Sequence, residues 1–147
     1  MVKHFPGSGA LDDGKDSHFP PGNQSYKGGN FEYHLKPFEA AFKAGVASVM
    51  PYYSVPKGIT SEDVAAAYNR DLITGMLREG YNFDGIICTD WGVVSDITLF
   101  GRIFKPASAH GVEQLSVSER LEKIFAAGVD MLGGEVLSPE LASLIQS

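Results

Sequence analysis

Asp90 is the residue whose type and position carry the most chemistry. It ends the run Gly85-Ile86-Ile87-Cys88-Thr89-Asp90-Trp91-Gly92, a short apolar stretch bounded by glycine that reads as a buried strand of a parallel sheet. An acid at the carboxyl end of such a strand either caps the next turn or stands where α/β folds collect reactive groups. Its company bears on the choice. Lys3 and His4 end an apolar run that enters the segment Pro6-Gly7-Ser8-Gly9, and both supply hydrogen-bond donors of the kind sugar hydroxyls need. Another apolar run ends Val49-Met50-Pro51-Tyr52-Tyr53; each tyrosine is either a core aromatic or a ring platform with a hydroxyl edge. Trp91 follows the acid directly. A carboxylate, donors and aromatic platforms together suit a carbohydrate. They do not suit a phosphate, because the glycines of residues 6–32 form neither a Walker pattern nor a GxGxxG before a helix. Asp12, Asp13, Asp16 and His18 cluster in that loop, and they read as loop-shaping residues in preference to a metal site.

These side chains need a scaffold that brings strand ends together. Four apolar segments, Met1–Phe5, Val46–Met50, Gly85–Thr89 and Val129–Leu132, start 45, 39 and 44 residues apart. Helical patterns lie between them. Tyr33–Ala44 places Leu35, Phe38, Ala41 and Phe42 on one face and stops at Gly45. Ser61–Glu79 opens with a capping serine and two acids and carries Val64, Tyr68, Ile73, Met76 and Leu77 near helical spacing. Ser118–Ala127 ends at Gly128, and Ser138-Pro139-Glu140 opens a further helix. The repeated unit of strand, long loop and helix predicts α/β architecture with parallel strands and about four βα units. The long loops, 6–32, 51–60 and 91–116, all follow strands, so all lie at the edge that holds Asp90, as expected of an active-site face. A four-stranded open, doubly wound sheet is the alternative.

The bulk composition sets limits. At 147 residues the chain has one domain's length. A net charge of −6 argues against nucleic acid or an anionic membrane as partner. No apolar run approaches the ~20 residues of a membrane span, and the N-terminus carries no signal-peptide pattern. Cys88, the single cysteine, excludes an internal disulfide and reads as a small buried hydrophobe.

Three motifs in order, Lys3-His4-Phe5-Pro6-Gly7-x-Gly9, Ser48-Val49-Met50-Pro51-x-Tyr53 and Phe83-Asp84-Gly85-Ile86-x-x-Thr89-Asp90-Trp91, resemble the second half of the barrel domain of glycoside hydrolase family 3. The β-glucosidase and β-xylosidase branch is the nearest pattern, and the resemblance extends to the Asp130-Met131 segment. It implies the second half of a (β/α)8 TIM barrel and a retaining hydrolysis of terminal β-linked sugars, a β-glucoside or oligosaccharide being the substrate. Asp90 would be the nucleophile, Lys3 and His4 would hold hydroxyls of the sugar, and Met50 and Tyr53 would line the site beside Asp90. Trp91 would wall the leaving sugar. Lys3 would favour an ionised Asp90. No metal and no cofactor are implied.

A closed barrel takes ~250 residues, and residues 1–147 match a partial N-terminal domain. The expectation is therefore a fragment whose upstream half-barrel and downstream domain, absent here, belong to the same protein, and which is inactive in isolation. In the glucosidases of the family the acid/base glutamate comes from that downstream domain, which makes His18 a bystander. The β-N-acetylglucosaminidase branch instead uses an Asp-x-His pair in the loop after Lys-His, which Asp16-Ser17-His18 matches, although Ser8 replaces the histidine usual there and the loop is longer. A non-catalytic glycan-binding or structural remnant is the third reading.

Overall fold

The computed structural model describes residues 1–146. Its central sheet is parallel and three-stranded, in the order β1 (Val2–Phe5), β3 (Ser48–Pro51), β5 (Ile86–Ile87). Val2 pairs with Val49, Lys3 with Met50, Ser48 with Ile86 and Val49 with Ile87. A parallel bridge from Cys88 to Met131 continues the sheet in the same direction. Spatial order thus follows chain order, without the reversal that marks a doubly wound sheet.

Helices fill each crossover. Helix α1 (Phe31–Lys43) joins β1 to β3 and buries Phe31, Leu35 and Phe38. It ends before Gly45, whose φ of +74° a glycine accepts without a side-chain clash. A π-wound helix, Asp71–Gly80, joins β3 to β5 and buries Leu72, Ile73 and Leu77. Helix α2 (Val117–Ala127) follows β5. Ser116 and Glu119 form a complete capping box at its start, and Gly128 at φ +104° closes its end. Helix α3 spans Ser138–Gln146. The helices pack their apolar stripes on the strand residues Phe5, Val49 and Ile87, each fully buried. Successive strand residues face opposite sides, and the other side of the sheet exposes Ile86 (51%) and Met131 (54%).

Two expectations need correction. The span Ser61–Glu79 is not one helix. Residues 61–65 are not helical, Ala66–Tyr68 is a single 3₁₀ turn, and the helix begins at Asp71. Ser61 does not cap; its amide donates to Asp71 Oδ2 (2.8 Å), and Asn69 Oδ1 receives the Leu72 amide (3.2 Å). Glu62 and Asp63 pair with Lys123 and Lys57 instead of a helix dipole. Tertiary contacts outweigh local propensity here: Ala65 N bonds His110 O (2.9 Å) and Ala66 N bonds Ser54 O (3.0 Å), which pins the segment between two loops. The fourth predicted strand, Val129–Leu132, is reduced to the single bridge at Met131. The loops are also more ordered than their composition suggests. Residues 6–32 and 51–60 are joined by parallel pairing of β2 (Asn23–Gln24) with β4 (Val55–Pro56). The loop after Asp90 carries an antiparallel hairpin of β6 (Ile97–Leu99) and β7 (Arg102–Lys105).

Candidate active site

Asp90 leaves the carboxyl end of the sheet one residue past the Thr89 anchor. Thr89 is fully buried; its amide donates to Met131 O (2.9 Å) and its Oγ1 accepts from the Gly133 amide (2.9 Å). A side chain at Gly133 would run into the Thr89 carbonyl, so the close approach of the two segments requires glycine there. With the backbone held, the Asp90 carboxylate is directed toward β1. Its Oδ2 lies 3.2 Å from His4 Nε2, and the side chain is 13% exposed. Its Oδ1 accepts the Trp91 amide at 2.8 Å.

His4 is the nearest cation-forming group. Burial lowers its pKa below the ordinary histidine value, with Lys3 and His18 acting in the same direction, while Asp90 pulls upward. A neutral imidazole whose Nε2–H donates to the carboxylate satisfies both groups. Tyr53 is buried and donates its hydroxyl to Trp91 O (2.7 Å). Burial, and next the Asp90 charge, push its phenol well above the usual value, so it stays a neutral donor. Tyr52 is buried too and packs against His4 (4.8 Å between ring centres) and Tyr53 (5.6 Å).

The other expected residues take different places. Met50 is buried beside Lys3 in the β1–β3 register. Lys3 is exposed and, with His4, Ser8, Tyr33 and His34, lines a pocket of about 300 Å³ at the end of β1. Trp91 is 54% exposed and lines a second pocket, of about 420 Å³, with Ser95, Asp96 and Glu135. Asp16 and His18 are brought to the site: His18 Nδ1 lies 2.6 Å from Asp16 Oδ1, and the imidazole packs at 4.5 Å on Tyr53. Among the described residues no three His, Cys, Asp or Glu side chains converge to hold a metal ion; Asp13 pairs with Lys15 at 3.4 Å.

Residues outside any motif complete the site. Lys105, from β7, places its ammonium 5.2 Å from the Tyr53 ring centre and 2.6 Å from Ser108 Oγ. Buried His110 donates from Nε2 to Ser17 O (2.8 Å), fixing the backbone between Asp16 and His18. No sequence pattern marks either one, because the hairpin and the 106–112 loop meet the Asp16 loop only in the folded chain.

Comparison with known proteins accords with this geometry. The family model described as the glycosyl hydrolase family 3 N-terminal domain matches residues 1–141. The chain belongs to glycosyl hydrolase family 3. A probable β-glucosidase C of Aspergillus oryzae is 46% identical over 147 residues, covering 99% of this chain and 23% of that protein. β-Glucosidase C of Emericella nidulans is 48% identical over 142 residues, covering 96% of this chain and 23% of the relative. This family 3 chain therefore spans about a quarter of the length of those relatives. The crystal structure of CbsA from Thermotoga neapolitana superimposes with a TM-score of 0.74 at 26% identity, over 98% of this chain and 30% of that one. The three family motifs, Lys3-His4, Met50-to-Tyr53 and Thr89-Asp90-Trp91, all lie at one end of the parallel sheet.

Proposed function

We propose that this chain carries the nucleophile half of a retaining β-glycosidase site, β-glucoside-directed, with Asp90 as the attacking carboxylate. An Asp90 oxygen bonds the anomeric carbon as the bond to the leaving oxygen breaks, and a positioned acid protonates that oxygen. Water, deprotonated by the same group, then releases the sugar from Asp90. The observation that carries this reading is the partly shielded Asp90 carboxylate held at 3.2 Å by His4, with a neutral Tyr53 phenol alongside. Lys3 and His4 are the donors for hydroxyls of the reacting sugar, and Trp91 is the apolar wall on the leaving side. No cofactor enters the chemistry.

The chain-order parallel sheet with a helix in each crossover supports about four units of a (β/α)8 barrel. Exposed Ile86 and Met131 on the sheet's second face are apolar surface that the remaining units would cover. Those units, and any further domain, are proposed to come from other segments of the same protein.

For the proton donor, the 2.6 Å contact between Asp16 and His18, lying on Tyr53, favours His18. That arrangement is the one expected of the β-N-acetylglucosaminidase branch, so an N-acetylglucosaminide is the second substrate reading. A glutamate elsewhere in the protein is the competing donor.

The test is covalent trapping in the whole protein. An activated 2-deoxy-2-fluoro-β-glucoside should add one fluoroglycosyl mass to the peptide holding Asp90, and Asp90→Ala should abolish both label and turnover. Glycan binding that persists in Asp90→Asn, with no turnover by the wild type on either sugar, would reassign the protein as a binding module.

A further inference from the structure

Lys105 is the residue of the β6–β7 hairpin that turns inward. Its neighbours Ile103 and Phe104 are 61% and 75% exposed, whereas Lys105 is half-buried against Tyr53. We propose that Lys105 determines specificity on the leaving-group side of this site, its ammonium donating hydrogen bonds to hydroxyls of a departing sugar. The inference rests on the glycosidase reading of Asp90 and deepens it.

The placement argues for the leaving side. His4 reaches Asp90 from β1, while Lys105 arrives from the loop that follows Asp90 itself. Its Nζ donates to Ser108 Oγ (2.6 Å), and Ser108 Oγ in turn donates to the His18 carbonyl (3.4 Å). The ammonium is therefore linked through Ser108 to the backbone of the proposed proton donor, and it lies over the ring whose hydroxyl holds the Trp91 carbonyl. An ammonium has three donor hydrogens, and Ser108 accounts for one. Burial lowers the Lys105 pKa below the ordinary lysine value, and Asp90, Asp16 and Glu135 act against that shift. A sugar leaving group presents hydroxyl acceptors to such a cation, and a nitrophenyl leaving group does not.

The experiment compares Lys105→Met and Lys105→Arg with wild type in the whole protein, on a β-linked disaccharide and on the matching nitrophenyl β-glycoside, for glucose and N-acetylglucosamine. Lys105→Met should lower kcat/KM on the disaccharide by about 10- to 100-fold, the value of a lost charged hydrogen bond, and change the aryl substrate by less than about threefold. Lys105→Arg should recover part of the disaccharide activity. Equal losses on both substrates would make Lys105 a support of Asp90, and a disaccharide loss confined to kcat at unchanged KM would make it a support of the His18 proton donor; either would overturn the proposal, as would no loss on either substrate. Wild-type failure on all four glycosides would remove the glycosidase reading itself, a separate outcome.

Discussion

Asp16 Oδ1 accepts both the His18 ring Nδ1 (2.6 Å) and the His18 backbone amide (2.9 Å), so one carboxylate oxygen fixes both the ring and the chain of the same histidine. These bonds hold the Asp16 carboxyl below its ordinary pKa. The paired Nδ1 leaves Nε2 as the ring atom that can exchange a proton with a substrate. His110 and Ser108 grip the backbone on either side of this turn, at Ser17 O and His18 O.

If this pair is the acid/base, His18→Ala should lower kcat on a poor leaving group by about 10²- to 10⁴-fold, and much less on an aryl glycoside that needs little protonation. Asp16→Asn should give a smaller loss together with a displaced basic limb of the pH profile. A loss under about tenfold at His18 on both glucosides and N-acetylglucosaminides would move the donor to a carboxyl group outside residues 1–147.

His4 should titrate below the ordinary value of ~6.5, as its burial dictates. Between its folded and unfolded pKa the unfolded chain binds more protons, so stability rises with pH across that window and is lost as pH falls through it. Asp90 is the partner that raises the His4 pKa. Asp90→Asn should therefore shift the His4 NMR titration to still lower pH. An upward shift would mean that the 3.2 Å contact does not form in solution.

Arg78 is the clamp behind the strand that leads to Asp90. Its Nη1 donates to Phe83 O and Gly85 O, both at 2.7 Å, and its Nη2 to Asp130 Oδ2 at 2.6 Å. That same Asp130 oxygen accepts the Ile87 amide (2.7 Å). The ion pair itself is partly exposed and contributes little; the backbone groups it satisfies matter more. Asp130→Ala or Arg78→Ala should cost about 1–3 kcal/mol in urea unfolding of the whole protein. A change within about 0.5 kcal/mol would show that water replaces these bonds freely.

Gly134 has φ +64°, and a Cβ there would overlap the Trp91 indole. Gly134→Ala should displace Trp91, the chain's single tryptophan, and so shift its fluorescence emission while lowering kcat/KM. The comparison is Gly14→Ala, with φ +66° but nothing within 4 Å, which should cost about 1 kcal/mol of backbone strain and leave the emission unchanged. Unaltered emission in Gly134→Ala would show that the turn relaxes away from the ring.

The α/β class and parallel strands, and the gathering of Lys3-His4, Tyr53 and Asp90 at one sheet edge, were determined by the sequence alone. Short apolar runs spaced about one βα unit apart allow few other pairings, and a residue at a strand exit has its place set by the strand. Capping was legible where it is local, as with Gly45 and Gly128 after α1 and α2. The tertiary structure decided what depends on contacts between loops. Val64 and Tyr68 show helical spacing, yet their segment is kept out of an α-helix, with a single 3₁₀ turn at Ala66–Tyr68, by bonds to His110 and Ser54 from other loops. The fourth strand shrank to one bridge at Met131 because Asp130 and Gly133 spend their bonds on Ile87 and Thr89. Lys105 and His110 joined the site through approaches across 52 and 93 residues of chain, from Lys105 to Tyr53 and from His110 to Ser17. No periodicity encodes such contacts; they follow from how the long loops pack once the sheet has set their ends.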